Sequence, residues 1–180
     1  MKRLISFFIL FAILTASFLT PALGSPAVDS TVAAELSLNC VSAILMESET
    51  GRVLYEQNAD QPLLPASITK IMTLLLVMKA IEDGKLRLDD MLTCSDRAAS
   101  MGGSQIYLEE GEQMTVEELI KCVVISSAND AALMLAEAVA GSEEVFVDMM
   151  NRCARELGMK NTNFENTNGL DDTVTNHVTS

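Results

Sequence analysis

The chain has 180 residues, 49% of them hydrophobic, with no tryptophan, 4% aromatics and a formal net charge of -13. That length allows one domain and part of a second, with a core built from Leu, Ile, Val, Ala and the 11 Met. Phosphate binders need clustered Lys and Arg to displace counterions; no basic run follows Arg3, so nucleic acid is set aside and the acidity reads as the charge that keeps an exported protein soluble.

Met1-Lys2-Arg3 is a short basic start, Leu4 to Leu19 is an almost unbroken apolar run, and Pro21-Ala22-Leu23-Gly24 supplies small residues after it. This is the pattern of a secretory signal peptide over residues 1–24, cleaved after Gly24. An uncleaved anchor is the alternative, because the run is only slightly short of a membrane span; the small-residue exit favours cleavage and export. Residues 25–38 read as a leader. Val41 to Met46 and Val53-Leu54-Tyr55, separated by Glu49-Thr50-Gly51-Arg52, predict a β-hairpin over 41–57.

From Ser67 to about Asp83 the pattern is helical and closes at Gly84. Ile68, Ile71, Met72, Leu74 to Met78 and Ile81 surround its axis, which predicts a helix buried on all sides. Short elements and loops fill roughly 86–113. Thr115-x-x-Glu118 is a capping box that opens a helix to about Ser126. A further helix runs from about Asp130 to Ala140. The last starts near Ser142 and stops at Gly158, with Val145, Phe146, Met149, Met150, Cys153 and Leu157 on one face. Four cysteines (Cys40, Cys94, Cys122, Cys153) permit two disulfides in three pairings. Cys122 and Cys153 fall on apolar helix faces where buried thiols are common, so unpaired core thiols are expected. With no C-x-x-C spacing and His177 as the only histidine, a structural zinc site is not expected.

Lys70 is a cation in the first turn of a nearly all-apolar helix. The helix N-terminus is the wrong end for a positive charge, and burial penalises the charged form again. Both push its pKa down, as a lysine general base near neutral pH requires; the alternative is a lysine that snorkels to solvent. Ser67 stands three residues earlier, on the same helix face, and a serine hydroxyl becomes a nucleophile when a neighbouring base takes its proton. Its ordinary role would be to cap the helix. Ser127-Ala128-Asn129 lies in the break between two helices, offering a hydroxyl and a carboxamide on an irregular segment; there the ordinary reading is a turn in which Asn129 or Asp130 caps the next helix.

Together the two clusters are more specific than either alone. Pro65-Ala66-Ser67-Ile68-Thr69-Lys70 and Ser127-Ala128-Asn129-Asp130-Ala131 resemble the Ser-x-x-Lys and Ser-x-Asn motifs of penicillin-binding proteins. Gly102 to Glu112, Asn161-Thr162-Asn163-Phe164 and Asn168-Gly169-Leu170 resemble the low-molecular-mass, serine-type D-alanyl-D-alanine carboxypeptidases among them. The resemblance covers roughly residues 40–180. It implies an α/β (α+β) fold of the β-lactamase/transpeptidase type, an antiparallel sheet flanked by helices plus a helical subdomain, with residues 39–180 as the N-terminal portion of the peptidase domain.

It also implies roles. Ser67 would attack the penultimate D-alanine carbonyl and become acylated, Lys70 would take its proton, and Ser127 would pass a proton to the departing nitrogen. Asn129 would bind substrate and help to fix Lys70, and the Ser67 N–H would give half of an oxyanion hole. The partners would be peptidoglycan stem peptides ending in D-Ala-D-Ala, with β-lactams as covalent inhibitors; no metal or organic cofactor is needed. The location would be extracytoplasmic, at the cell wall or the outer face of the membrane, with membrane attachment only through a further C-terminal region.

The chain departs from the family pattern in one respect: it contains no Lys-Thr-Gly. The expectation is therefore a truncated chain that does not release D-alanine by itself. Two rivals follow. A serine β-lactamase would need a second base, for which Glu165 is the candidate. A non-catalytic penicillin-binding remnant would give no adduct on Ser67. A Ser-His-Asp hydrolase is set aside, since His177 lies at the extreme end.

Overall fold

The computed structural model describes residues 38–170. The signal peptide, nearly all of the leader, and His177 lie outside these residues. By its contacts the chain divides between Cys40 and Val41, and the fold is that of the second unit.

Strand β1 (Ala43–Met46) pairs antiparallel with β2 (Val53–Gln57), with Leu45 opposite Tyr55 and Met46 opposite Val53, so Leu54 is the extra residue of a bulge. The hairpin is where the turn residues predicted it. The Glu47 carboxylate accepts the N–H groups of Glu49 and Thr50 at 2.9 and 2.8 Å and also the Thr50 hydroxyl, gathering the donors that a tight turn leaves over. A 3₁₀ turn, Ala66–Thr69, leads into α1 (Lys70–Glu82), which stops just before Gly84 as expected.

The stretch read as short elements and loops holds most of a second small sheet. Strand β3 (Met91–Thr93) pairs antiparallel with β4 (Gln113–Thr115), Leu92 facing Met114; strands of three residues are too short to show an alternation. Between them lies α2 (Asp96–Ala99), capped by the Ser95 hydroxyl. Helix α3 (Val116–Ser126) opens on the expected capping box, the Thr115 hydroxyl accepting the Glu118 N–H and the Glu118 carboxylate accepting the Thr115 N–H. Helices α4 (Asn129–Ala140) and α5 (Glu143–Glu156) follow.

Helix α4 is the centre of the unit. Every residue from Asn129 to Ala136 is buried, and the helix touches α1, α2, α3, α5 and β3. Ala131, Ala132 and Ala136 are small enough to let these neighbours approach. Its own Leu133 and Leu135, and Phe146, Leu119, Met150 and Val77 around it, are fully buried, each worth about 1.5–3 kcal/mol of transfer free energy. The class is α+β, as expected: helices with two small antiparallel sheets.

Three expectations need correction. Helix α1 is not buried on all sides: Met72, Leu76, Val77 and Ala80 face α4 and α5, whereas Ile68 and Ile71 are 66% and 67% exposed, and Leu75 and Met78 are exposed too. Its apolar circumference exceeds what the described residues cover. On α5, Phe146, Met150 and Cys153 are buried but Val145 and Leu157 are exposed, because the inward face is narrower than the run of apolar residues. Neither Asn129 nor Asp130 caps α4, whose N-cap is Ala128 without a side-chain cap. Cys94 and Cys153 are buried and Cys122 half-buried, as expected of core thiols, whereas Cys40 is exposed.

Candidate active site

Ser67 sits in the 3₁₀ turn and Lys70 is the first residue of α1. Neither end of this segment uses a side-chain cap, so the Ser67 hydroxyl is not spent on capping. Lys70 does not snorkel: the residue is 4% exposed, and Nζ donates to Ser67 Oγ at 3.2 Å, Ser127 Oγ at 3.3 Å and the Asn168 carbonyl at 3.2 Å. Three acceptors match the three N–H bonds of an ammonium. A neutral amine has two N–H bonds and a lone pair, so on losing one proton it can keep two of these contacts as donor and receive a hydroxyl proton through the third.

Burial lowers the Lys70 pKa from its ordinary value to about 8, the direction expected from the sequence. An amine with that pKa is about 10% neutral at pH 7, against about 0.03% for an unperturbed lysine, roughly a 300-fold gain in the base form. Among the described residues no carboxylate lies within hydrogen-bonding distance of Nζ; its neighbours are two hydroxyls and a carbonyl.

Ser127 is delivered by the end of α3, where it adopts a left-handed conformation at φ 55. A side chain there costs about 1 kcal/mol. Asn129 and Asp130, which open α4, grip the 102–108 segment instead of capping. The Asn129 N–H donates to Ser104 O and Nδ2 to Gly102 O, both at 2.7 Å. The buried Asp130 carboxylate accepts the N–H groups of Ile106, Leu108 and Ala131. Asn129, expected to help fix Lys70, has its amide nitrogen turned to Gly102, and the third partner of Lys70 is a main-chain carbonyl.

That carbonyl comes from a loop, residues 164–170, fastened on both flanks. Asn151 holds Phe164 through two hydrogen bonds of 2.8 Å, and the Asn166 carboxamide accepts the Gly169 N–H at 2.7 Å. The Thr73 hydroxyl, one turn after Lys70, donates to Thr167 O at 2.6 Å. Gly169 has φ +78, and a Cβ there would fall 1.9 Å from the Ala66 carbonyl oxygen. The loop therefore lies backbone to backbone against the turn that carries Ser67, and Ala66 itself is left-handed at φ 47. Asn168-Gly169 carries part of the family resemblance, but a main-chain contact leaves no side-chain signature from which its role could be read. Glu165 is exposed and accepts from Asn163; it does not touch Lys70 or Ser67.

Residues 29–180 match the family model described as D-alanyl-D-alanine carboxypeptidase. The chain is 49% identical over 170 residues to D-alanyl-D-alanine carboxypeptidase DacF of Bacillus subtilis (strain 168), covering 94% of this chain and 43% of that protein. Among solved structures, D-alanyl-D-alanine carboxypeptidase DacD from Francisella tularensis is similar with a TM-score of 0.77 and 37% identity, over 82% of this chain and 35% of that one. Penicillin-binding protein D2 from Listeria monocytogenes, in its ampicillin-bound form, gives 0.71 and 32%, over 81% and 58%. The chain spans less than two thirds of each.

Proposed function

The chain belongs to the D-alanyl-D-alanine carboxypeptidase family and has the fold of the penicillin-binding proteins, and on that footing we propose that it carries the serine acyl-transfer centre for peptides ending in D-Ala-D-Ala, with Ser67 as nucleophile and Lys70 as base, D-alanine release needing in addition the Lys-Thr-Gly motif of the family pattern. The observation that carries this reading is the Lys70 amine, buried, lowered to a pKa of about 8 and 3.2 Å from the Ser67 hydroxyl.

In the proposed reaction the Ser67 oxygen bonds to the penultimate alanine carbonyl carbon while its proton moves to Lys70 Nζ. The oxyanion meets the Ser67 N–H, which lies at the head of a helical segment where amide hydrogens point outward. The C–N bond then breaks, and the leaving nitrogen takes a proton through Ser127, which is 3.3 Å from the amine that holds it. Water adds to the acyl carbon as Lys70 takes its proton, the bond from that carbon to Ser67 Oγ breaks, and Lys70 returns the proton to the serine oxygen. Asn129 has committed Nδ2 to Gly102, so its contact with a substrate N–H would be through Oδ1. A β-lactam would acylate the same hydroxyl. The setting is extracytoplasmic, at the cell wall, in keeping with the family.

The experiment is mass spectrometry of the protein after incubation with a fluorescent penicillin. A single adduct on the Ser67 peptide is expected, lost in Ser67→Ala and slowed by about a hundredfold or more in Lys70→Ala. A folded protein that gives no adduct, or one that labels elsewhere, would refute the reading.

A further inference from the structure

We propose that Glu143, the first residue of α5, is a positioning residue for Lys70: its carboxylate fixes Thr167 so that the neighbouring Asn168 carbonyl stays on Nζ. The inference rests on the reading of Ser67 and Lys70 as nucleophile and base.

An acidic residue in the first turn of a helix ordinarily faces solvent and the helix's own amides. Glu143 faces neither. Its side chain is 10% exposed, and Oε1 accepts both the Thr167 N–H at 3.2 Å and the Thr167 hydroxyl at 3.1 Å, from a loop 24 residues away. The other oxygen, Oε2, accepts from the Arg97 guanidinium at 3.1 Å. Arg97, on α2, is the one charged group among the described residues that pairs with Glu143. A buried carboxylate is costly unless its oxygens are filled, and here two of the three donors that fill them belong to one loop residue.

Thr167 and Asn168 then present successive carbonyls to α1. Thr167 O accepts from Thr73 at 2.6 Å and Asn168 O from Lys70 at 3.2 Å, and Thr73 and Lys70 are three apart, on one helix face. Thr167 is thereby held at its N–H, hydroxyl and carbonyl, and the next peptide unit meets the amine. The supporting groups of a reactive side chain set its geometry as surely as its own rotamer does. Glu143 and Asn168 also border a cleft of about 630 Å³ that Thr167 and Lys70 do not line; a loop released by loss of the carboxylate would let its water reach the Thr167 donors and follow the displaced Asn168 carbonyl to Nζ.

A purely structural role predicts lost stability with an unchanged amine; a positioning role predicts a changed amine. Competitive trace acetylation with acetic anhydride across pH, read by mass spectrometry on the Lys70 peptide, gives the amine's titration midpoint in the native protein, and the rate of Ser67 acylation by fluorescent penicillin is measured beside it. Wild type should titrate at about 8. Glu143→Ala and Thr167→Val should move the midpoint by about one pH unit toward ordinary lysine and slow acylation about tenfold or more. Glu143→Gln, whose Oε1 can accept the same two donors, should recover the rate to within about threefold of wild type.

Folded Glu143→Ala and Thr167→Val proteins with wild-type midpoint and rate would overturn the proposal. So would a Glu143→Gln protein as impaired as Glu143→Ala, which would assign the effect to the Arg97 ion pair. If Glu143→Ala does not fold, Thr167→Val, which keeps the amide bond to Glu143, decides. If wild type forms no Ser67 adduct, the acyl-transfer reading fails on its own, while the Lys70 midpoint still reports on Glu143.

Discussion

Replacing Gly169 with alanine would put a methyl group 1.9 Å from the Ala66 carbonyl oxygen, 2.4 Å from its carbon and 2.7 Å from Thr69 Oγ1. A carbon and an oxygen that are not bonded stay at least about 3.3 Å apart, so loop and turn must separate by more than about 1 Å. Both atoms first met are backbone, so no side-chain rotation can relieve the contact. Lys70 Nζ is 3.2 Å from Asn168 O, and a retreat of even half that size takes the pair beyond hydrogen-bonding range. The left-handed φ costs alanine about 1 kcal/mol, and losing a hydrogen bond at a partly charged amine adds about 1.5 kcal/mol. The sum, about 2.5 kcal/mol, corresponds to a fall of roughly 10 °C in Tm for a domain of this size. The assay pairs thermal unfolding by circular dichroism with the rate of Ser67 acylation by penicillin, and the rate should drop about tenfold or more as Nζ gains water. A Gly169→Ala protein that melts within a degree of wild type and acylates as fast would show that the loop does not press on the nucleophile's turn.

Four further outcomes follow from the same geometry. Acylation should rise with pH through a midpoint of about 8 and level off above it, because only the neutral Lys70 amine takes a proton; a profile flat from pH 6 to 10 would remove Lys70 from the role of base. The linked effect on stability has a definite sign: the folded pKa lies below the unfolded value, so the native state binds fewer protons and stability from this group rises between about pH 8 and 10.5, as denaturant titrations across that range would detect. Ser127→Gly relieves a left-handed side chain worth about 1 kcal/mol but removes an acceptor of the Lys70 amine worth about 1.5 kcal/mol, so Tm should move by only a few degrees while acylation slows; a loss of more than about 3 kcal/mol would contradict the strain assigned there. Asp130→Ala strands the N–H groups of Ile106, Leu108 and Ala131 and should cost about 3–5 kcal/mol in chemical denaturation, with a cost below about 1 kcal/mol counting against the clamp.

Sequence reasoning reached the parts of this molecule that local chemistry specifies. The Thr115–Glu118 box, the Glu49–Arg52 turn and the stop before Gly84 each depend on residues within a few positions of one another, so their signals survive without tertiary context. The meeting of Ser67 and Lys70 is equally local, and motif spacing added Ser127. Other features were out of reach because they depend on what comes to lie alongside. The exposed face formed by Ile68 in the 3₁₀ turn and Ile71 in α1 reads as core in any hydropathy pattern. Asn129 looked like a cap, and its amide turned to Gly102 only because a distant segment passes there. Asn168 contributes a carbonyl that any residue possesses, and Glu143 looked like an ordinary acid in the first turn of a helix. The one sequence clue to that loop was the Asn-Gly pair at 168–169, a dipeptide suited to positive φ.

The distances along the chain between the partners of Lys70 give the site an order of assembly. Ser67 is three positions away and joins as soon as the first turn forms, whereas Ser127 and Asn168 are separated from the amine by 57 and 98 residues. Closing loops of that length is slow compared with forming a helix. Until the last of them closes, the amine is hydrated, positively charged and unable to deprotonate its neighbour. A nascent or partly unravelled chain therefore carries an inert serine, and reactivity arrives only with the completed tertiary structure.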